Sequence, residues 1–326
     1  MNYIGAADIE RLVDYPSIID AVESAFRSGV ITPVRHHHAV ERPAGSQTTL
    51  LLMPAWTDFK QLKNGESGHI GVKIVTVSPD NGAMNKPAIM GLYILLNGNT
   101  GEPRAIIDGQ ALTVFRTAAT SALAGRFLSR QDSRVHLVIG AGALSTHLAR
   151  AHRAVRPIET TLFWNRNFAG ARLAAERLAA FGFDAEAVEH LDEAVRRADI
   201  ISTATLSTEP LIKGNLVKDG AHLDLVGAFN AQMRETDDTA VLRSRVFVDT
   251  FAGALKEGGD LVQPINDGII SAEHIQGELA MLISGESVGR RSADEITLFK
   301  SVGAALEDLA AGILIEKRFQ ASKRSF

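Results

Sequence analysis

The chain has 326 residues, 45% of them apolar and 22% charged, with a formal net charge of −4. That suffices for two ordinary globular domains or one large one, and the mild negative charge gives no electrostatic reason to expect a nucleic-acid or membrane partner. Cysteine is absent, which excludes a disulfide framework, a zinc–thiolate site and a cysteine nucleophile. No basic-then-apolar leader stands at the start and no apolar run approaches the ~20 residues of a bilayer span, so a cytoplasmic protein is expected.

In chain order, Asp14-Tyr15-Pro16-Ser17 is a helix start, with cap-type side chains and an early proline. Ile18, Ile19, Val22, Ala25 and Phe26 make one apolar face, and Gly29 ends it. From Thr32 to Asp108 the pattern turns to short strands at 34–40, 48–53, 71–77, 90–96 and 104–107, with the turn Asn97-Gly98-Asn99-Thr100-Gly101 between the last two. These predict an antiparallel or mixed sheet. An alanine-rich helix is expected over 112–128.

The rhythm then changes. Strands at 135–139, 160–164, 200–203, 223–226 and 246–248 are interleaved with helices at 143–155 and 169–180, a pattern that calls for a parallel sheet with helices on both faces. Leu298, Val302, Ala305, Leu306, Leu309 and Ile313 give 296–319 helical spacing. This segment reads as a helix beyond the last strand, crossing back to the N-terminal domain. The expected fold class is α/β. A Rossmann-type doubly wound parallel sheet at 123–295 is inserted in an α+β domain built from 1–122 and 296–326.

Gly140-Ala141-Gly142-Ala143-Leu144-Ser145 follows the strand at 135–139 and opens a helix. The spacing is that of a dinucleotide loop. The first glycine permits the tight turn, the second lets the backbone approach the pyrophosphate, and the helix start offers free N–H groups. The next strand ends at Trp164-Asn165-Arg166-Asn167. The acid that would hold a ribose 2′-hydroxyl is missing there, and Arg166 can pair with a 2′-phosphate. NADP(H) is therefore expected ahead of NAD(H).

With these residues in view, the chain resembles the ornithine cyclodeaminase/mu-crystallin family over nearly its whole length. The resemblance rests on Met53-Pro54-Ala55, Gly71-Val72-Lys73, Asp108-Gly109, Arg116-Thr117-Ala118-Ala119-Thr120-Ser121-Ala122 and the glycine loop. It continues through Trp164-Asn165-Arg166, Thr205-Leu206-Ser207-Thr208-Glu209-Pro210, Val226-Gly227-Ala228, Leu255-Lys256-Glu257-Gly258-Gly259-Asp260 and Phe299-Lys300-Ser301-Val302-Gly303. It implies a homodimer whose terminal segments make a substrate and dimerisation domain. It also implies chemistry at a C–N bond alpha to a carboxylate. Cofactor contacts are implied at Arg116 and Thr117, at Gly140, Gly142, Ala143 and Leu144, at Asn165, Arg166 and Asn167, and at Thr205, Leu206, Val226 and Ser301.

Such chemistry needs a carboxylate clamp and a proton donor. Arg116 offers a planar fork for a carboxylate, although an arginine at a helix start is also an ordinary solvated residue; the family's substrate-binding arginine matches here. Arg35 resembles the second carboxylate-binding arginine, with Arg42 as the alternative. Lys73 has apolar neighbours, and a lysine buried there is costly unless paired or functional. Desolvation and nearby arginines would make it an acid near neutral pH, and the family's catalytic lysine matches it. The other reading is an edge-strand lysine reaching solvent. Phe229 stands where ornithine cyclodeaminases and a related alanine dehydrogenase carry an aspartate. Phenylalanine cannot move protons but suits the apolar methylenes of a cyclic imine, and Asp224 is an unlikely stand-in for the acid. Glu257 is a candidate contact to the substrate amine, while acids in that glycine turn, Asp260 included, are more often solvated or capping. His36 to His38 alternate faces on a strand and cannot converge on one metal; no metal is expected. The resulting expectation is an NAD(P)H-dependent cyclic ketimine reductase acting on Δ1-pyrroline-2-carboxylate or Δ1-piperideine-2-carboxylate. The alternatives are an ornithine cyclodeaminase, an amino-acid dehydrogenase and a non-enzymatic binding protein of the mu-crystallin type.

Overall fold

A computed structural model describes residues 1–62, 67–84 and 86–324. The chain opens with β1 (Asn2–Ile4), α1 (Ala6–Leu12), α2 (Tyr15–Ser28), β2 (Val30–Ile31), β3 (His36–Val40), β4 (Thr48–Thr57), β5 (His69–Val77), β6 (Ile89–Asn97), β7 (Pro103–Asp108) and α3 (Gly109–Leu128). It continues through β8 (Val135–Ile139), α4 (Ser145–Arg153), β9 (Thr160–Trp164), α5 (Phe168–Ala179), β10 (Asp184–Ala187), α6 (Leu191–Arg197), β11 (Ile200–Thr203), β12 (His222–Leu225) and α7 (Asp238–Arg243). It ends with β13 (Ser244–Val248), α8 (Phe251–Glu257), α9 (Gly259–Asn266), β14 (Ile275–Glu278), α10 (Leu279–Ser284), β15 (Ile296–Lys300) and α11 (Ala305–Arg324).

Two units result. Unit one is Met1–Arg116 with Ala304–Phe326, and unit two is Thr117–Gly303. In unit one, β7, β6, β5 and β4 form an antiparallel run, with β1 parallel to β7 at one edge and β2 and β3 both paired to β4. The long C-terminal α11 packs on β4, β5, β6 and α2. The start of α2 follows its sequence. Asp14 accepts the Ser17 N–H at 2.8 Å, Ile18, Ile19, Val22 and Ala25 are buried, and Gly29 ends the helix at φ 69°.

In unit two all strand pairs are parallel, in the order β10-β9-β8-β11-β12-β15-β13-β14. The first five follow the doubly wound order, with the switch point between β8 and β11, where such sheets bind ligands outside their C-terminal ends.

The expected helix over 296–319 is corrected here. Its first five residues form β15, between β12 and β13, and the helix begins only at Ala305. A strand inside a parallel sheet is covered on both faces, so all of Ile-Thr-Leu-Phe-Lys is buried and no alternation marks it as a strand. The boundaries accordingly fall after Arg116 and Gly303, instead of after 122 and 295. The strand expected at 34–40 starts at His36, and His36 to His38 lie exposed on β3, paired with Leu50 to Leu52.

Candidate active site

Lys73 sits in β5 between β4 and β6, opposite Met53 and Tyr93, so it is not an edge-strand residue. The pleat puts Gly71, Lys73 and Val75 on the buried face. Lys73 is 2% exposed. Its Nζ donates to Asp308 Oδ1 at 2.8 Å and to Thr113 Oγ1 at 3.5 Å. Arg116, on the same face of α3 as Thr113 one turn earlier, donates from Nε to Asp308 Oδ1 at 2.9 Å and from Nη1 to Glu307 Oε2 at 2.7 Å. Glu307 and Asp308 belong to the first turn of α11, yet both are fully buried. Burial is the largest influence on Lys73 and lowers its pKa to about 8; Arg116 and Arg35 push the same way and Asp308 opposes them. Arg35 is therefore close enough to bear on Lys73, whereas Arg42 is tied to Asp80 and the Ser46 carbonyl. Tyr93 is packed beside this cluster. Its hydroxyl and Asp308 Oδ2 find no hydrogen-bond partner among the described residues.

Neither Glu307 nor Asp308 was singled out from sequence. Acids in a first helical turn are ordinary, and only their burial reveals that they must face cations.

In unit two the glycine loop, the end of β9 and the segment after β11 enclose a cleft of about 260 Å3, lined by Gly140, Gly142, Asn165, Arg166, Thr205 and Leu206 among others. Gly140 has φ 108°, and a Cβ there would lie 2.7 Å from the Ala204 carbonyl oxygen, so the position requires glycine. A Cβ on Gly142 would meet nothing within 4 Å. The backbone is thus open to a ligand at this point, and α4 begins just beyond it. These features fit a dinucleotide pyrophosphate. Leu144 stands at the N-cap of α4, and Ala143 is exposed before it. Arg166 is exposed at the cleft, while Asn165 Nδ2 donates to the Asn167 carbonyl and Asn167 Oδ1 caps α5. Val226 is buried, and Ser301 donates to Asp249 at 3.1 Å. Thr117 is buried in α3.

Behind the cleft lies a second charged cluster. Glu235 accepts from Thr203 Oγ1 at 2.7 Å and from Thr205 N and Oγ1 at 2.8 and 2.7 Å. Burial, then the neighbouring Asp260, raises its pKa above the usual carboxylate range. Asp260 is not solvated, as a glycine-turn acid would be. It is fully buried, accepts the N–H groups of Glu235 and Thr236, and lies 3.1 Å from Lys300 Nζ. Lys300 donates to the Gly227 carbonyl at 2.5 Å. The next residue, Ala228, is left-handed at φ 42°, a conformation costly for a residue with a Cβ and common at functional segments. It leads into Phe229, which is half-buried, as is Glu257 at the end of α8. Asp224 is sequestered at 0% exposure, accepting from Ser202 at 2.6 Å beside His152.

Residues 3–323 match the profile of the ornithine cyclodeaminase/mu-crystallin family. The chain belongs to this family. Within it, the chain is 35% identical over 325 residues to the Δ1-pyrroline-2-carboxylate reductase of Colwellia psychrerythraea, covering 97% of this chain and 99% of that protein. The Thermococcus litoralis Δ1-pyrroline-2-carboxylate reductase, solved in complex with NADH and L-proline, superposes with a TM-score of 0.91 at 32% identity. The match covers 99% of this chain and 98% of that one. An archaeal alanine dehydrogenase dimer with bound NAD gives a TM-score of 0.87 at 27% identity, covering 98% and 96%.

Proposed function

We propose that this ornithine cyclodeaminase/mu-crystallin family member is an NAD(P)H-dependent reductase of cyclic ketimines. Its best substrate is Δ1-pyrroline-2-carboxylate, giving L-proline, and Δ1-piperideine-2-carboxylate, giving L-pipecolate, is a close analogue. The observation that carries the reading is the buried Lys73, an ammonium with a pKa lowered to about 8 and set beside Arg116. A general acid works best near the operating pH, and guanidinium groups suit a substrate carboxylate. The reductase of Colwellia psychrerythraea and the T. litoralis complex with NADH and L-proline point the same way.

Arg116 and Arg35 hold the ring carboxylate. A nicotinamide held by the glycine-loop cleft would supply the hydride for C2 and be oxidised in turn. The imine nitrogen takes the Lys73 proton. The C=N bond becomes a C–N single bond, and Lys73 stays neutral until solvent reprotonates it. We assign Phe229 to the ring methylenes and Glu257 to the amine, as the family resemblance implies. An imine already formed needs no ammonia expelled, so the aspartate replaced by Phe229 is dispensable. Gly140, Gly142, Ala143, Leu144, Thr205, Leu206, Val226 and Ser301 take the dinucleotide, with Arg116 and Thr117 adding contacts. NADPH is preferred over NADH because Arg166 stands at the end of β9 where an acid would favour a 2′-hydroxyl, with Asn165 and Asn167 framing it. Unit one is the substrate and dimerisation domain and unit two the cofactor domain. Exposed Val40, Ile89, Met90 and Leu92 on the unit-one sheet suit a second copy of the chain, as does the alanine dehydrogenase dimer.

The test follows nicotinamide absorbance with purified protein, Δ1-pyrroline-2-carboxylate and either cofactor. Rapid oxidation is expected, and Lys73→Met should abolish it while L-proline still binds. Full turnover by Lys73→Met overturns the assignment of the acid. Ammonia released from ornithine, with no imine reduction, overturns the reaction.

A further inference from the structure

We propose that Asp308 is the positioning residue that keeps Lys73 in its ammonium form and fixes its Nζ, so that a proton is in place whenever an imine binds. This rests on the imine-reductase reading and adds a residue to it.

The geometry is specific. One oxygen, Asp308 Oδ1, accepts from both Lys73 Nζ at 2.8 Å and Arg116 Nε at 2.9 Å. The proton donor and the carboxylate clamp therefore share one anchor, and their separation is set by a single buried atom. Asp308 is 0% exposed, so water does not screen the contact as it would at a surface. The groups facing Lys73 come from four elements besides its own. Arg116 and Thr113 come from α3, Asp308 and Glu307 from α11, Arg35 from the segment before β3, and Tyr93 from β6.

Their effects divide clearly. Burial, Arg116 and Arg35 all favour the neutral amine, and Asp308 holds the ammonium against them by charge and by hydrogen bond. Glu307 is hydrogen-bonded to Arg116. Asp308 thus bears directly on the proton, and both acids hold the clamp Arg116. The same contact serves after turnover. A neutral Lys73 left beside the Asp308 carboxylate is the more basic for it and recovers its proton from solvent.

The experiment is the pH profile of kcat/KM, which reports ionisations of the free enzyme; titration of the imine is common to every variant and cancels. In the wild type the basic limb is expected near pH 8, because Lys73 must be protonated and loses its proton as pH rises through about 8. Asp308→Asn removes the charge while keeping the volume. It should move the limb down by about one to three pH units, the range for losing an opposite charge in contact, a fall of about fivefold or more at pH 8. Asp308→Glu keeps the charge, so its limb should stay in place even as kcat falls. Glu307→Gln should raise KM for the imine and leave the limb where it is. A limb unmoved in Asp308→Asn, or lowered in Asp308→Glu, overturns the proposal. If Asp308→Asn does not fold, Asp308→Ala takes its place: the limb should fall likewise, and a limb that stays near pH 8 overturns the proposal. A wild type inactive on the imine at every pH would instead overturn the reductase reading itself.

Discussion

Tyr93 and Gly71 give a quantitative check on the packing that holds β5 and its lysine against α11. A Cβ added at Gly71 would lie 1.7 Å from the Tyr93 hydroxyl, 2.5 Å from Cζ and 3.1 Å from Leu309 Cδ1. The ring cannot back away, because its other side rests on Gly312, where a Cβ would come 2.5 Å from Cε1. Tyr93 is 1% exposed and its hydroxyl has no partner among the described residues. Gly71→Ala should therefore cost about 3 kcal/mol, the upper end for overpacking, lowering Tm by roughly 4 °C for a chain of this length. Tyr93→Phe removes an unsatisfied buried hydroxyl and should stabilise by about 1 kcal/mol. In the double variant the closest obstruction becomes Cζ, so the strain is only partly relieved and the two changes should couple by about 1 kcal/mol. Urea unfolding followed by circular dichroism, with thermal melts in parallel, measures all three. A Tyr93→Phe variant that loses 1 kcal/mol or more would refute the reasoning, because the hydroxyl would then be satisfied; so would a Gly71→Ala variant that melts like the wild type.

Two further outcomes test unit two. Glu235→Ala strips the acceptor from three donors on Thr203 and Thr205, each worth about 1 kcal/mol or more when left unsatisfied. NAD(P)H affinity, read by fluorescence titration, should fall about tenfold, and an unchanged Kd would show that the cofactor segment does not depend on this support. Arg166→Ser should raise the KM for NADPH about tenfold, as for loss of a charged hydrogen bond, and spare NADH. An unaltered ratio of the two would remove the basis for an NADPH preference.

Much of the fold was legible wherever a strand was bounded by turn residues and followed by a helix. The expected strands at 135–139, 160–164 and 200–203 coincide with β8, β9 and β11. The glycine loop was legible for the same reason, since the φ of 108° at Gly140 requires the residue present. Lys73 and Arg116 stood out as charges in apolar or alanine-rich surroundings, and the structure brings them to one carboxylate. What stayed hidden depends on contacts distant in sequence. The edge strand β10, Asp-Ala-Glu-Ala, is only four residues long, alternates charges with small alanines and has no β-favouring side chain. Residues 296–300, Ile-Thr-Leu-Phe-Lys, are buried on both faces and carry no polar–apolar alternation from which local periodicity could assign helix or strand. Glu307 and Asp308 resemble ordinary helix-start acids until β5 and α3 bring cations more than 190 positions away against them.

The position of β15 has a consequence for how the protein is made. Synthesis runs from the N-terminus, and domains generally fold as units as they emerge. Here the strand that joins β12 to β13 is the last of the sheet to be synthesised. Until residues 296–300 have left the ribosome, β12 and β13 each present an open edge with no neighbour between them. The parallel sheet is thus completed only once residue 300 is available, shortly before α11 delivers Asp308 to Lys73. A chain cut short before residue 296 loses an interior strand of one sheet and the acid partner of Lys73 in the other together, which leaves a truncated product with exposed strand edges.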